Sequence, residues 1–275
     1  MSTAGSAPTP AEPTPNVARM YDYLLGGREN YAADRQTADH LLRIAPSTRM
    51  LAVNNRRFLR RAVRYAAEEA GVRQFLDLGA GLPTDENVHQ IARRAQPSAA
   101  VVYVDNDPVV LAHGRALLAD ERTAVVRADL RRPEDILGHP EVKRLIDFAE
   151  PVAALFSSVL HCIPDADDPG GLLRRVVDRL APGSLVVFSH VVSLDGRTRR
   201  RLTDFILSVS GGDWGRVRHP DEVAPWFEGL ELVEPGLVEV SLWRPDPDEV
   251  TQETDEWFEF GGVARVPERS DRPGR

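Results

Sequence analysis

The stretch Arg73-Gln-Phe-Leu-Asp-Leu-Gly-Ala-Gly-Leu-Pro-Thr-Asp85 constrains the fold more than any other part of this 275-residue chain. A short apolar run, Phe75 to Leu78, is interrupted by Asp77 and followed by Gly79 and Gly81. An amphipathic segment begins at Thr84 and continues to Ala95. That order predicts strand, tight glycine turn and helix, the opening unit of a nucleotide-binding α/β sheet. Gly79 and Gly81, with Ala80 between them, can take positive φ and let a ligand approach bare backbone. An ordinary strand-to-helix turn would read the same way.

The acids narrow the choice. A dinucleotide loop of the form G-x-G-x-x-G would need its third glycine at Thr84. Asp77 stands at the mouth of the loop, where a carboxylate would repel a pyrophosphate and suit a cationic ligand. S-adenosylmethionine (SAM) is such a ligand, an adenosine without phosphate and with positive charge at its methionine end. Two more predicted strands end in acid. Ala99 to Asp105 is one, and Asp105 follows the glycine loop at about the twenty-residue spacing of a ribose-binding acid. Asp107-Pro108 then opens a helix, so Asp107 reads as its cap and Asp105 as the ligand contact. Thr123 to Leu130 carries Asp129, placed to accept from an adenine amine or to cap the next turn. In open α/β sheets ligands bind outside the carboxyl ends of the strands, so the three acids are expected to converge. With their neighbours they give the expected cofactor set: Asp77, Gly79, Ala80, Gly81, Asp105, Asn106, Asp129, Leu130 and Ser157.

Composition excludes several classes. A net charge of −8 argues against a nucleic-acid surface. The lone Cys162 rules out an intrachain disulfide and a cysteine-rich zinc site, and no metal is expected. No apolar stretch is long enough to span a membrane, and the start lacks the pattern of a signal peptide, so a cytoplasmic setting is expected.

Residues 1–15, rich in proline, are expected to be disordered. Residues 16–70 read as a helical cap. Asn16 caps a helix from Val17 to Leu25, Asn30 a second one to Ile44, and Ser47 a longer one ending before Gly71. The first two helices either pack aromatics on the main domain or form a lid, with Arg19, Tyr21, Tyr23, Asn30 and Tyr31 reaching toward ligand. Arg56, Arg57, Arg60, Arg61 and Arg64 on the third helix read as a solvated face. Residues 71–245 read as the core. His161 follows the fourth strand and His190 ends the fifth. Both are candidates for a general base, although a lone histidine is more often a packed structural residue. Leu230 to Val233 and Leu237 to Trp243 straddle Glu234-Pro-Gly236 and predict a terminal hairpin. Residues 246–275 form a tail expected to dock back through Trp257, Phe258 and Phe260.

Four markers, Asp77-Leu-Gly-Ala-Gly81, Asp105, Ala128-Asp129 and Leu180-Ala-Pro-Gly183, resemble class I SAM-dependent methyltransferases. Three further stretches are Tyr21-Asp-Tyr-Leu-Leu-Gly-Gly27 with Asn30-Tyr31, Tyr103 to Pro108, and Glu231 to Gly236 ahead of Leu242-Trp-Arg-Pro245. These resemble an actinobacterial family of such enzymes, first catalogued as a domain of unknown function. The resemblance implies a Rossmann-like, seven-stranded α/β sheet with an antiparallel last strand. It also implies SAM as cofactor and methyl transfer to an unidentified small-molecule acceptor. The alternatives are a non-catalytic SAM sensor, a nicotinamide-dependent oxidoreductase and a structural interaction domain. The oligomeric state stays open.

Overall fold

The computed structural model describes residues 14–84, 86–211 and 214–268. The start expected to be disordered lies, up to residue 13, outside the described residues.

Three helices come first: α1 (Val17–Leu24), α2 (Ala32–Ile44) and α3 (Thr48–Glu68). Asn16 caps α1, accepting from the Arg19 N–H at 3.2 Å. The second cap differs from expectation. Tyr31 occupies it, its N–H donating to Asp34 at 2.8 Å, while the Asn30 amide is drawn to Asp22. Ser47 precedes α3 but makes no side-chain cap; its hydroxyl bonds Glu256 instead.

The core then alternates: β1 (Gln74–Leu78), α4 (Val88–Ala95), β2 (Ala100–Asp105), α5 (Pro108–Leu117) and β3 (Thr123–Arg127). The short helices α6 (Pro133–Gly138) and α7 (Pro140–Leu145) lead to β4 (Ala153–Ser157) and α8 (Pro169–Val177). After these come β5 (Leu185–Val192), α9 (Gly196–Val209) and α10 (Pro220–Val223). The chain closes with β6 (Glu231–Leu232), β7 (Val238–Glu239) and β8 (Phe258–Arg265). α4 starts later than the amphipathic pattern suggested. Asn87 is its cap and accepts from the Thr84 N–H at 3.0 Å, so residues before it form a turn.

The sheet order is β3-β2-β1-β4-β5-β8, with β6 and β7 both on the outer edge of β8. β1 to β5 pair in parallel and β8 is antiparallel to β5. The predicted hairpin is not there. β6 and β7 do not pair with each other; both run antiparallel to β8, and the five residues between them face only two. Gly236, at φ +91°, shapes a bulge within one edge strand rather than a reversal. Counted as one interrupted strand, they complete a seven-stranded mixed sheet of the class I methyltransferase type. The antiparallel strand comes from the segment expected as a docking tail: Phe258–Arg265 lies inside the sheet.

Both faces of the sheet are covered. Leu76, Val102 and Phe156 pack toward the α6–α8 side. Phe75, Val101 and Leu155 pack toward α3 and α4. Burying each such side chain contributes roughly 1.5–3 kcal/mol.

Of the arginines of α3, Arg60 and Arg64 are exposed as expected, but Arg61 is not part of a solvated face. Arg61 is 3% exposed. Its guanidinium donates to the carbonyls of Trp243 at 2.9 Å and Val240 at 2.7 Å, and to Glu249 at 2.6 Å. Arg57 also reaches Glu249, and Arg64 binds Asp246. Arg57, Arg61 and Arg64 thus clasp residues 240–249, and Arg61 supplies the buried donors that the Trp243 and Val240 carbonyls use. Arg56 turns the other way, toward the strand tips.

Candidate functional site

The loop after β1 is fastened to the end of β2. The N–H groups of Gly79 and Ala80 donate to the Val104 carbonyl at 2.8 and 3.0 Å. Gly79 has φ +79°, and a Cβ there would stand 2.3 Å from Val159 Cγ2, so no other residue fits. Gly81 has φ +66° and nothing within 4 Å of a notional Cβ: its bare face looks into a cavity of about 450 Å³.

Asp77, Asp105 and Asp129 all line that cavity, as do Ala80, Asn106, Leu130 and Ser157. The whole expected cofactor set therefore converges on one space. The three acids differ in what they still have to offer. Asp105 is braced by backbone, one oxygen accepting from the Gly81 N–H and the other from the Asp107 N–H, each at 2.9 Å. Burial pushes its carboxyl up, and those N–H bonds pull it back. Each oxygen keeps a lone pair for a ligand hydroxyl. Asp107 caps α5, accepting from the Val109 N–H at 2.7 Å.

Asp77 is 5% exposed and has no hydrogen-bond partner among the described residues. Burial pushes its carboxyl up to about 7, and Arg56 only partly opposes this. A buried carboxyl with no hydrogen-bond partner among the described residues, on the wall of a cavity, is chemically set up to receive a cation. Asp129 is tied to Arg131, which binds both its oxygens, the shortest contact being 2.7 Å. Burial acts upward on that carboxyl, but the guanidinium outweighs it and the net shift is down.

Of the five lid candidates only Tyr21 faces the cavity. Its hydroxyl donates to the Ala52 carbonyl at 3.1 Å and accepts from the Asn55 amide at 2.9 Å. The other four knit the cap to itself. Arg19 is buried, donating to Asp34 at 2.8 Å and to the Thr14 carbonyl at 2.7 Å. Tyr23 bonds Asp39, Asn30 bonds Asp22 and the Gly27 carbonyl, and Tyr31 is 49% exposed. The reason is helical phase: Val17, Met20, Tyr21 and Leu24 share the inward face of α1, and Arg19 and Tyr23 lie off it.

The two histidines part company. His190 is fully buried and does not line the cavity. Its Nδ1–H donates to the Val191 carbonyl at 2.8 Å, and its Nε2 accepts from Arg218 at 3.0 Å. With both nitrogens spent it is a structural residue, which corrects its candidacy as a base. His161 does line the cavity. Burial pushes it down to about 3, Arg218 assisting, so it is a neutral imidazole at ordinary pH. Cys162 is also on the wall, and burial pushes its thiol up to about 12, far from a thiolate.

Sequence reasoning missed Asn55, Arg56 and Glu259. Asn55 accepts from the Ser189 hydroxyl at 2.6 Å and links Tyr21 to β5. Arg56 lines the cavity and bonds Thr84 and the Glu86 carbonyl. Glu259 on β8 is 1% exposed, accepts from the Ser158 hydroxyl, and leaves Oε2 without a partner. A signal for it exists: a lone acid inside the alternating run Trp257-Phe-Glu-Phe260. Among the described residues, no group of three or more His, Cys, Asp or Glu side chains is placed to hold a metal, and no helix is long and apolar enough to cross a membrane.

Comparison with known proteins agrees with this geometry. The sequence profile of a family described as S-adenosyl methyltransferase matches residues 9–267. The solved structure of a methyltransferase candidate from Thermobifida fusca is 43% identical, with a TM-score of 0.82, and the match covers 93% of this chain and 96% of that one. A DUF574 family protein from Streptomyces avermitilis is 38% identical, with a TM-score of 0.84 and coverage of 92% and 98%. None of the functionally curated proteins compared with the chain matches it.

Proposed function

The chain belongs to the S-adenosyl methyltransferase family, and from that premise we propose that it moves the sulfonium methyl of SAM onto a small-molecule acceptor held in the cavity beside the strand tips. The observation that carries this is the pairing of Asp77, buried and partnerless, with Asp105, braced by the Gly81 N–H, on one wall.

SAM supplies an activated methyl: the acceptor's lone pair bonds its carbon, the carbon–sulfur pair stays on sulfur, and the acceptor's proton passes to the medium. The chain's own part is to bind, orient and exclude water. Asp105 accepts from the ribose hydroxyls and Asp129 from the adenine amine, sharing its oxygens with Arg131. Asp77 and Arg56 stand on the same wall with opposite charge, matching the ammonium and carboxylate of an amino-acid end. His161 offers the acceptor a neutral hydrogen-bonding ring. The cavity continues past the acids toward the cap helices, which favours an acceptor pocket over a sensor without turnover.

Two results are expected. Asp105→Ala weakens binding of both SAM and S-adenosylhomocysteine by about 1–3 kcal/mol, the range for losing a charged hydrogen-bond partner. Calorimetry on parent and variant checks this, and equal affinities would take Asp105 out of ribose binding. Second, a cation beside Asp77 requires its ionised form, so binding near pH 6 should release close to one proton, and near pH 8 almost none. Titrations in buffers of different ionisation enthalpy read the proton count. Heats independent of buffer near pH 6 would detach Asp77 from the ligand's charge.

A further inference from the structure

We propose that the acceptor is an uncharged, largely apolar ring compound whose nucleophile is a hydroxyl, an inference that rests on the methyltransferase reading above. Charge is segregated along the cavity. Asp77, Asp105, Asp107, Asp129, Arg56 and Arg131 sit at or next to the strand tips. Asp22 is the exception, and it is taken up by the Glu29 N–H at 2.9 Å and the Asn30 amide at 2.8 Å.

The other end is bored into the core of the helical cap. Met20, Leu41, Leu51, Ile206, Trp214 and Trp257 belong to one buried cluster and also line the cavity. Apart from Asp22, no formal charge lines that end among the described residues; Glu259, bonded to the lining Ser158, lies behind the wall, and burial pushes its carboxyl up to about 8. An ion placed there would lose its hydration, with only the already engaged Asp22 as a charged group on that wall. Two indoles form part of the wall, and the His161 ring lies edge-on to Trp214 at 5.8 Å between centroids. Flat rings stack well against such faces.

The polar groups that remain are neutral, among them Tyr21, Thr48, Asn55, His161 and the Trp214 indole, whose buried Nε1–H has no hydrogen-bond partner among the described residues. A hydroxyl can both donate to and accept from such groups. A carboxylate would find no cation there, and an alkylammonium would be drawn to the acids at the far end. In the transfer, a lone pair of the hydroxyl oxygen forms the new carbon–oxygen bond. The electrons of the carbon–sulfur bond remain on sulfur, and the hydroxyl proton ends in solvent.

The test uses the full chain saturated with S-adenosylhomocysteine and three isosteric probes: naphthol, naphthalenesulfonate and naphthylmethylammonium. Calorimetry should find naphthol bound at least roughly tenfold more tightly than either ion. Ile206→Trp, which fills the apolar end from α9, should weaken naphthol at least about tenfold and leave S-adenosylhomocysteine within about twofold. If that variant does not fold, Ser210→Trp at the end of the same helix serves in its place. A charged probe that binds as well as naphthol, no naphthol binding, or indifference to the filled pocket overturns the proposal. Failure of the parent to bind S-adenosylhomocysteine sinks the methyltransferase reading instead, so the two failures are told apart.

Discussion

Arg61→Met is expected to lower the unfolding free energy by about 3–5 kcal/mol, the scale for removing one partner of a buried ion pair. The side chain keeps its length and apolar stem but loses the guanidinium. The Trp243 carbonyl then lies buried without a donor, the Val240 carbonyl keeps only the Trp243 N–H at 3.3 Å, and Glu249 is left with Arg57 at 3.5 Å. An orphaned acceptor alone costs about 1–3 kcal/mol. Urea unfolding followed by Trp fluorescence measures the loss. A double variant, Arg61→Met with Glu249→Gln, should recover part of it by removing the stranded charge. A single-variant loss below about 1 kcal/mol would mean that the clasp is a surface interaction after all.

The protein without ligand is expected to be more stable near pH 6 than near pH 8, by about 2 kcal/mol on a scale of 1.36 kcal/mol per unit of pKa. Burial holds Asp77 up to about 7 and Glu259 up to about 8, against ordinary values of 3.8 and 4.5. Folded pKa values raised in this way mean that the native state holds the extra protons. That stability is fully present below the unfolded values and is lost as pH rises through 7 and 8. His161, pushed down to about 3 by burial, works in the opposite sense, and His190 shifts the same way. Their contribution is fully present above about 6.5 and fades as pH falls toward 3. Between pH 8 and 6 the two histidines together give back a little under half of what the carboxyls gain, which leaves the net of about 2 kcal/mol. Glu259→Gln should remove essentially all of the difference, since Asp77 and the histidines then nearly cancel, and saturating SAM should remove the share due to Asp77. Melting temperatures at both pH values, with and without ligand, decide it. A flat profile would show that neither carboxyl is held protonated.

The three acids were legible because each ends an apolar run, and a strand's carboxyl end is where an open parallel sheet binds ligands. What sequence spacing could not convey is how each acid is already engaged. Asp129 looks as available as Asp77 in the sequence, yet one is locked to Arg131 and the other is bare. The cap misled through composition. Tyr23, Tyr31 and Arg19 drew attention as aromatic and charged groups, while the period-of-four face of Met20, Tyr21 and Leu24 held the answer. The proline-glycine signal at Pro235-Gly236 is ambiguous in principle, since reversal and bulge use the same residues. β8 could be suspected from Phe258 and Phe260, but its place beside β5 is a contact across a long stretch of chain, which local pattern does not encode. Histidine is equally uninformative: nothing near His190 in sequence announces Arg218.

Phe258–Arg265 is the last strand of the sheet to leave the ribosome, after β5 on one side and both pieces of the edge strand on the other. Until it emerges, β5 presents an open flank and Ser158 has no carboxylate behind it. Trp257 arrives in the same few residues, long after α1. The cavity therefore takes its walls from elements made before the sheet and from Trp257, which leads into its last described strand, and it stays unfinished until Phe258–Arg265 has emerged.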